Sequence, residues 1–242
     1  MRFLVLQHAP HEGPGRYAEF AKILGIQLDT IELWKPSYML PAPAAYGKYD
    51  AAIIMGGYQG VKDSQQEYPS KEEELAFIRR FDKPILGHCL GSELIAFAFG
   101  GDVYKDKRKE CGFYSVRKSN NRNSLFQGFN ERFQVFHWHG DSFNIPEGAV
   151  PLVYSEFDQP DIQAFAYEDR FFGVLFHMEM TPQMITDLLR IDKEYFEKED
   201  REINHGNTAE SIIKKAIELD FQMERQSQTL FNNFVSIVEG QS

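Results

Sequence analysis

The stretch Pro84-Ile85-Leu86-Gly87-His88-Cys89-Leu90-Gly91-Ser92-Glu93-Leu94-Ile95-Ala96 decides how the rest of the chain is read. It contains a short apolar run, a Gly-x-Cys-x-Gly turn and the start of an apolar helix. Gly87 and Gly91, two residues to either side of Cys89, permit the tight strand-to-helix turn that pushes a nucleophile up at a sheet edge. A helix starting beneath the sulfur brings the positive end of its dipole, which favours thiolate. Taken alone, the turn also fits a buried cysteine in an ordinary strand-to-helix connection. The choice between the two rests on the remainder of the chain.

Upstream, residues 3–6 are a continuous apolar run suited to a central parallel strand. Residues 17–24 have helical spacing and stop at Gly25. Residues 28–33 and 50–55 read as further strands, the latter ending in Gly56-Gly57-Tyr58-Gln59-Gly60. Between them, Pro36, Pro41 and Pro43 mark a long irregular link. Ser70 is placed to cap a charged helix that runs to Arg80, with Glu72, Glu73 and Glu74 in its first turn. Strands alternating with helices imply a parallel, helix-covered sheet, whose sites form beyond the carboxyl ends of the strands. Both the glycine loop after Met55 and the cysteine turn fall at that edge.

Downstream of Gly101 the pattern becomes a run of short strands at 103–104, 112–116, 134–138, 152–155, 162–167 and 171–176, as in antiparallel or mixed sheet. The last is apolar throughout, which suits a central strand, and it ends at His177-Met178-Glu179. From Pro182 the chain reads as helical, with a polar, charged break at 197–205 that suits a linker. Apolar stripes near helical spacing follow at Ile212, Ile213, Ala216 and Ile217, and at Leu230, Phe231, Phe234, Val235 and Val238.

Composition narrows the classes. With 242 residues and 43% hydrophobic content, the chain can bury a sizeable core. A net charge of −10 argues against nucleic acid or an anionic membrane as its main partner. Two cysteines, Cys89 and Cys111, with no spaced set suit thiols in a reducing cytoplasm. The N-terminal apolar run is too short for a signal peptide, and no apolar stretch approaches membrane-spanning length. No Gly-x-x-x-x-Gly-Lys-Ser/Thr occurs, so no ATP site of that kind is expected.

Three residues stand out: Cys89 on its turn, His177 after a central strand, and Glu179 two residues later. A thiol is mostly protonated near neutral pH. A histidine base generates the thiolate, and a carboxylate orients the imidazole. The loop at Gly56-Gly57 and the N–H of Leu90 can donate to a developing oxyanion.

Together these features resemble the class I, triad-type glutamine amidotransferases: Gly87-His88-Cys89-Leu90-Gly91, a late Phe-His-x-Glu, and a strand-ending Gly-Gly loop, with the family's order along the chain. Lys109-Glu110-Cys111-Gly112-Phe113, the run from Phe136 to Phe143 and Gln163-Ala164-Phe165 are similar to a free-standing branch, near the glutaminase domain of GMP synthase. The resemblance covers roughly residues 1–190. It implies an α/β fold of three layers, a mostly parallel, flavodoxin-like central sheet with helices on both faces, and a helical C-terminal extension over 191–242. That extension would pack on the domain or make a homodimer contact.

By the same resemblance, Cys89 would attack the side-chain amide of glutamine, leaving a γ-glutamyl thioester and releasing ammonia. His177 would act as base and acid, and Glu179 would orient it. Gly57 and Leu90 would form the oxyanion hole. Gln59, Glu93, His139, Gly140 and Asp141 would line the substrate pocket. No cofactor and no metal are implied. No synthetase domain accompanies the motifs, so ammonia would pass to a separate partner chain or to solvent.

The departures from the pattern are specific. Glu93 stands where the family carries a substrate-contacting glutamine, Met178 replaces a proline in Phe-His-Pro-Glu, and Tyr58 replaces a proline after Gly-Gly. An extra carboxylate beside a zwitterionic substrate would repel its carboxylate end, which raises a γ-glutamyl hydrolase as the alternative to a glutaminase. A silent regulatory protein is the third possibility, opposed by the intact Cys89, His177 and Glu179. His137 and His139 share a strand face and so suit a metal pair with Cys89 and Glu179, but His139 already belongs to the His-Gly-Asp motif. His8 and His11, near the loop after the first strand, read as surface histidines, with a place facing the crevice as the alternative, and Cys111 reads as a packed core thiol.

Overall fold

A computed structural model describes residues 1–121, 123–157, 160–197 and 206–240. In chain order the elements are β1 (Arg2–Gln7), α1 (Arg16–Ile23), β2 (Gln27–Glu32), β3 (Ala51–Ile54), α2 (Lys71–Arg80), β4 (Ile85–His88) and α3 (Leu90–Ala98). Then follow β5 (Asp102–Lys118), β6 (Arg132–Asn144), β7 (Val150–Ser155), β8 (Ile162–Tyr167), β9 (Phe171–Val174), α4 (Pro182–Ile191), α5 (Lys193–Glu197), α6 (Ala209–Glu218) and α7 (Asp220–Gly240). The nine strands form one sheet in the order β2-β1-β3-β4-β9-β8-β7-β5-β6. Of the charged break at 197–205, residues 198–205 lie outside the described residues.

The sheet changes character at β9. From β2 to β9 every pairing is parallel, and from β9 to β6 every pairing is antiparallel. The α/β class stands, with a sheet that is mixed. Alternation along β1 explains the two layers that cover it, since successive side chains leave opposite faces. Phe3 and Val5 enter one core with Tyr17, Phe20, Phe231 and Phe234. Leu4 and Leu6 enter the other with Leu75, Ile78, Leu94 and Ile95. So α1 and α7 share one face, and α2 and α3 the other. No described helix is long and apolar enough to cross a membrane.

The apolar pattern splits residues 102–118 into two short strands, whereas the structure makes them one. β5 pairs with β6 from Asp102 opposite Asn144 to Arg117 opposite Arg132, with an irregularity between Lys105 and Glu110. The polar residues there break the apolar pattern, but backbone pairing does not require apolar side chains. The same pairing carries Gly140, Asp141 and Ser142 within β6.

Ser70 does not cap α2. Its backbone is already helical (φ −83°, ψ −8°), whereas a capping side chain needs extended backbone. Its hydroxyl instead donates to Glu74 Oε1 at 2.7 Å.

Helix α7 is part of the packing around β1. Phe231 stacks on Tyr17 with ring centres 5.2 Å apart and touches Phe3 and Phe20. It is fully buried. Phe231→Ala is expected to lower the free energy of unfolding by about 3–5 kcal/mol, read from denaturant unfolding. A loss below about 1 kcal/mol would mean that α7 is not bound to this face in solution.

Candidate active site

The cysteine turn has the geometry its glycines require. Cys89 adopts φ 46° and ψ −112°, a left-handed backbone that costs a non-glycine residue about 1–3 kcal/mol. A Cβ at Gly87 would lie 2.4 Å from the Gly91 carbonyl oxygen, and one at Gly91 would lie 2.3 Å from that of Ile54. Neither backbone position can give way, so α3 reaches β3 and β4 only with glycine at both. The Cys89 N–H donates to the Val174 carbonyl at 2.9 Å, which ties the turn to the end of β9.

His177 leaves that same end of β9. Its N–H donates to the Phe136 carbonyl at 2.8 Å, which brings β6 alongside. The imidazole Nδ1 lies 2.7 Å from Glu179 Oε1, so Nδ1–H donates and Nε2 is left to act as a base. Among the described residues, Nε2 has no hydrogen-bond partner. The Met178 N–H donates to Glu179 Oε2 at 3.0 Å. A proline at 178 would have no N–H to give, so the methionine supplies a second hold on the carboxylate.

Gly56 opens the space in which these groups meet. A Cβ there would stand 3.0 Å from His177 Cε1, 3.5 Å from Cys89 Cβ and 2.5 Å from Glu12 Oε2. Glu12 comes from the loop after β1 and is buried. Nothing in sequence singles it out, because it is an isolated carboxylate in a glycine- and proline-rich loop. Only the return of that loop against Gly56 places it beside the cysteine and histidine.

Electrostatics follow from this burial. Burial pushes the Glu179 carboxylate up, but His177, with help from His88, pulls it down to about 2. Burial likewise opposes a charged His177, yet Glu179 and then Glu12 raise its pKa above the ordinary 6.5. Burial, reinforced by Glu93, Glu12 and Glu179, holds the Cys89 thiol well above its usual range, and the Leu90 N–H only partly offsets this. The helix start therefore does not win, and Cys89 is a thiol at neutral pH. His88 is held below 6.5 by burial and stays neutral. It receives the Tyr17 hydroxyl at Nε2 (3.2 Å) and gives Nδ1–H to the Phe176 carbonyl (3.3 Å).

The glycine loop is held from below by His8, which is fully buried rather than at the surface. Its Nδ1 sits 3.1 Å and 3.2 Å from the carbonyls of Met55 and Gly56, and its Nε2 lies 2.7 Å from Glu74 Oε2. The Tyr68 hydroxyl is 3.0 Å from the same nitrogen. His8 is missed as a support because Glu74 lies 66 positions away in sequence. His8 thus holds the carbonyls of Met55 and Gly56.

The remaining expected residues line one pocket of about 310 Å³, at the small end of small-molecule sites. Cys89, Leu90, Gly57 and Gln59 form one part of its wall. Glu93, His139, Gly140 and Asp141 form another. Glu93 is buried, and burial together with Asp141 raises its pKa to about 8. His139 is held down to about 4 by burial, so it is neutral. His177 and Glu179 are not among the residues that line it. Tyr195 of α5 and Asp192 just before it close the outer side. The Lys109 ammonium donates to the Tyr195 carbonyl and lies 3.3 Å from the centre of its ring.

The chain as a whole is similar to known proteins. Residues 26–191 match the family model for glutamine amidotransferase class-I. The glutamine amidotransferase-like protein YfeJ of Salmonella typhimurium is 27% identical over 198 residues, covering 78% of this chain and 80% of its own. One of the chains of the glutamine-hydrolyzing GMP synthase of Saccharolobus solfataricus is 28% identical over 160 residues, 66% of this chain and 79% of its own. A glutamine amidotransferase crystal structure from Thermotoga maritima superposes with a TM-score of 0.83 at 26% identity, covering 97% of this chain and 98% of the other. One from Methylobacillus flagellatus does so with 0.86 at 25%, covering 98% and 94%.

Glu12→Gln removes one of the carboxylates that hold the Cys89 proton. The pH midpoint for alkylation of Cys89 by iodoacetamide is expected to move down in this variant. Cys111 is fully buried and does not compete. An unchanged midpoint would show that Glu12 is not coupled to the thiol.

Proposed function

The chain belongs to the class-I glutamine amidotransferase family, and from that premise we propose that it hydrolyses the side-chain amide of glutamine to glutamate and ammonia. One observation carries the reading: the cysteine on its strained turn lines an amino-acid-sized pocket, and it shares the space at Gly56 with the ring of His177, which Glu179 holds. Cys89 is the nucleophile, His177 the proton carrier, and Glu179 the group that fixes the imidazole tautomer.

The steps follow from the protonation states. The thiol is neutral at rest, so His177 Nε2 must take its proton as the sulfur attacks the amide carbon. The Gly57 and Leu90 N–H groups receive the oxyanion, each worth about 3 kcal/mol in the transition state. The imidazolium then protonates the leaving nitrogen, and ammonia departs from a γ-glutamyl thioester. Neutral His177 next takes a proton from water, which attacks the thioester and frees glutamate. A proton already on His177 blocks the first step. Because Glu179 raises the His177 pKa, kcat/KM rises with pH through a midpoint above 6.5.

Glu93 bears on substrate choice. As a carboxylate it would repel the α-carboxylate of glutamine, which favours a γ-glutamyl hydrolase with the same chemistry. Buried beside Asp141, with its pKa raised to about 8, it is mostly protonated at neutral pH. A protonated carboxyl has one donor and one acceptor, as a glutamine carboxamide does in this place. That supports free glutamine as the substrate. The ammonia would go to solvent or to a separate synthetase chain, and the likeness to one chain of a GMP synthase supports the latter. The two free cysteines suit the cytoplasm.

The purified protein and its Cys89→Ser variant should be incubated with glutamine and with γ-glutamyl dipeptides. Cys89-dependent ammonia and glutamate from glutamine is the expected result. Glutamate from the dipeptides alone would replace this reading by the γ-glutamyl hydrolase, and silence on both by a regulatory protein or an activity that needs its partner.

The KM for glutamine should also climb above about pH 8 as Glu93 ionises. Glu93→Gln should remove that climb. A KM profile that is the same in both proteins would mean Glu93 does not face the substrate.

A further inference from the structure

We propose that Glu110, His137 and His139 form a binding site for a zinc-class divalent transition-metal ion in the wall behind the substrate pocket. Among the described residues, these three bring one ligand atom each to a common point. His137 Nδ1 lies 2.6 Å from Glu110 Oε2 and 3.0 Å from His139 Nε2. Glu110 Oε2 lies 3.5 Å from His139 Nε2. An ion bound at about 2.0–2.2 Å with tetrahedral angles separates neighbouring donors by about 3.3 Å. The observed triangle brackets that spacing. All three side chains are buried.

The scaffold makes the cluster. Glu110 sits directly opposite His139 in the β5–β6 ladder, and Gly112 sits opposite His137. The two-residue period of β6 puts both imidazoles on one face, and the pairing delivers the carboxylate to the same face. Sequence alone offers the histidine pair, with Cys89 and Glu179 rather than Glu110 as its partners. The third donor depends on the register after the irregularity between Lys105 and Glu110.

The tautomer of His139 suits a cation at the centre. His139 Nδ1 lies 3.2 Å from the Asp141 carbonyl, an acceptor, so this nitrogen carries the proton and Nε2 turns a lone pair to the cluster. Metal-bound histidines commonly give their other N–H to a backbone carbonyl in this way. Glu110 Oε2 also offers lone pairs. A cation at this point would take the lone pair of His139 Nε2, the Glu110 carboxylate and, with its proton displaced, His137 Nδ1. Two imidazoles with one carboxylate suit zinc, cobalt or nickel over magnesium or calcium. Three protein donors leave one position of a tetrahedral ion for a further ligand. His139 lines the pocket, which provides the way in. Bound there, the ion would fix the segment of β6 that carries Gly140 and Asp141. None of this depends on the glutaminase reading.

The test uses the full chain, stripped with a chelator and titrated with Zn2+ against a chromophoric competitor, then with Co2+ and Mg2+. One equivalent of Zn2+ should bind with submicromolar affinity, and Co2+ should give the intense visible bands of a tetrahedral site. Mg2+ should not compete. His139→Ala and Glu110→Gln should each weaken Zn2+ binding by more than about a hundredfold, beyond the 10–100-fold usual for hydrogen bonds behind a ligand. His137→Gln serves as the third variant if an alanine protein fails to fold. Cys89→Ser should bind as the parent does. No stoichiometric binding by the parent, binding that survives the three ligand variants, or binding lost in Cys89→Ser would each overturn the proposal.

Discussion

A carboxylate almost wholly removed from water, that of Glu179, sets the terms for the rest of the site. A buried charge is tolerated only when it is paired and hydrogen-bonded. Glu179 meets that demand with His177 on one oxygen and the Met178 N–H on the other, with His88 nearby at 3.7 Å. Its backbone is equally committed. The Glu179 carbonyl accepts the Arg16 N–H at 2.8 Å, and a Cβ at Gly15 would come within 2.1 Å of that oxygen. The start of α1, the exit from β9 and the orientation of His177 are therefore one problem with one solution.

The second constraint is the excess of negative charge around the sulfur. Glu12, Glu93 and Glu179 all disfavour thiolate, and burial does so more strongly. The same Glu179 and Glu12 favour a protonated imidazole. The surroundings thus favour a neutral thiol over a standing thiolate, and they extend the pH range over which the imidazole carries a second proton.

The antiparallel half of the sheet has its own part in this arrangement. It carries β6 along the end of β9, where the Phe136 carbonyl receives His177 and the Trp138 carbonyl comes to 3.8 Å from the sulfur. His139, Gly140 and Asp141 continue along the same strand into the pocket wall. One long strand thus holds the His177 backbone at one point and lines the pocket at another. Its pairing with β5 decides which carboxylate stands beside the two histidines.

The parallel strands, the cysteine turn and the His-x-Glu ending were legible in the chain, because each is local: apolar runs, glycines at fixed spacing, two polar residues just past a strand. The parts that were not legible arise from contacts between distant segments. The polar stretch after Tyr104 conceals the continuity of β5, Ser70 looks like a cap until its backbone is seen to be helical, and His8 looks exposed until Glu74 and Tyr68 enclose it. The sequence by itself determined the cysteine turn, the late histidine and the carboxylate two residues on, since those residues and their order are written in short motifs. Only the tertiary structure decided the placing of Glu12 beside Cys89, the protonation of Glu93, and the meeting of Glu110 with His137 and His139. Burial and electrostatic coupling belong to the folded arrangement of segments that the chain keeps far apart.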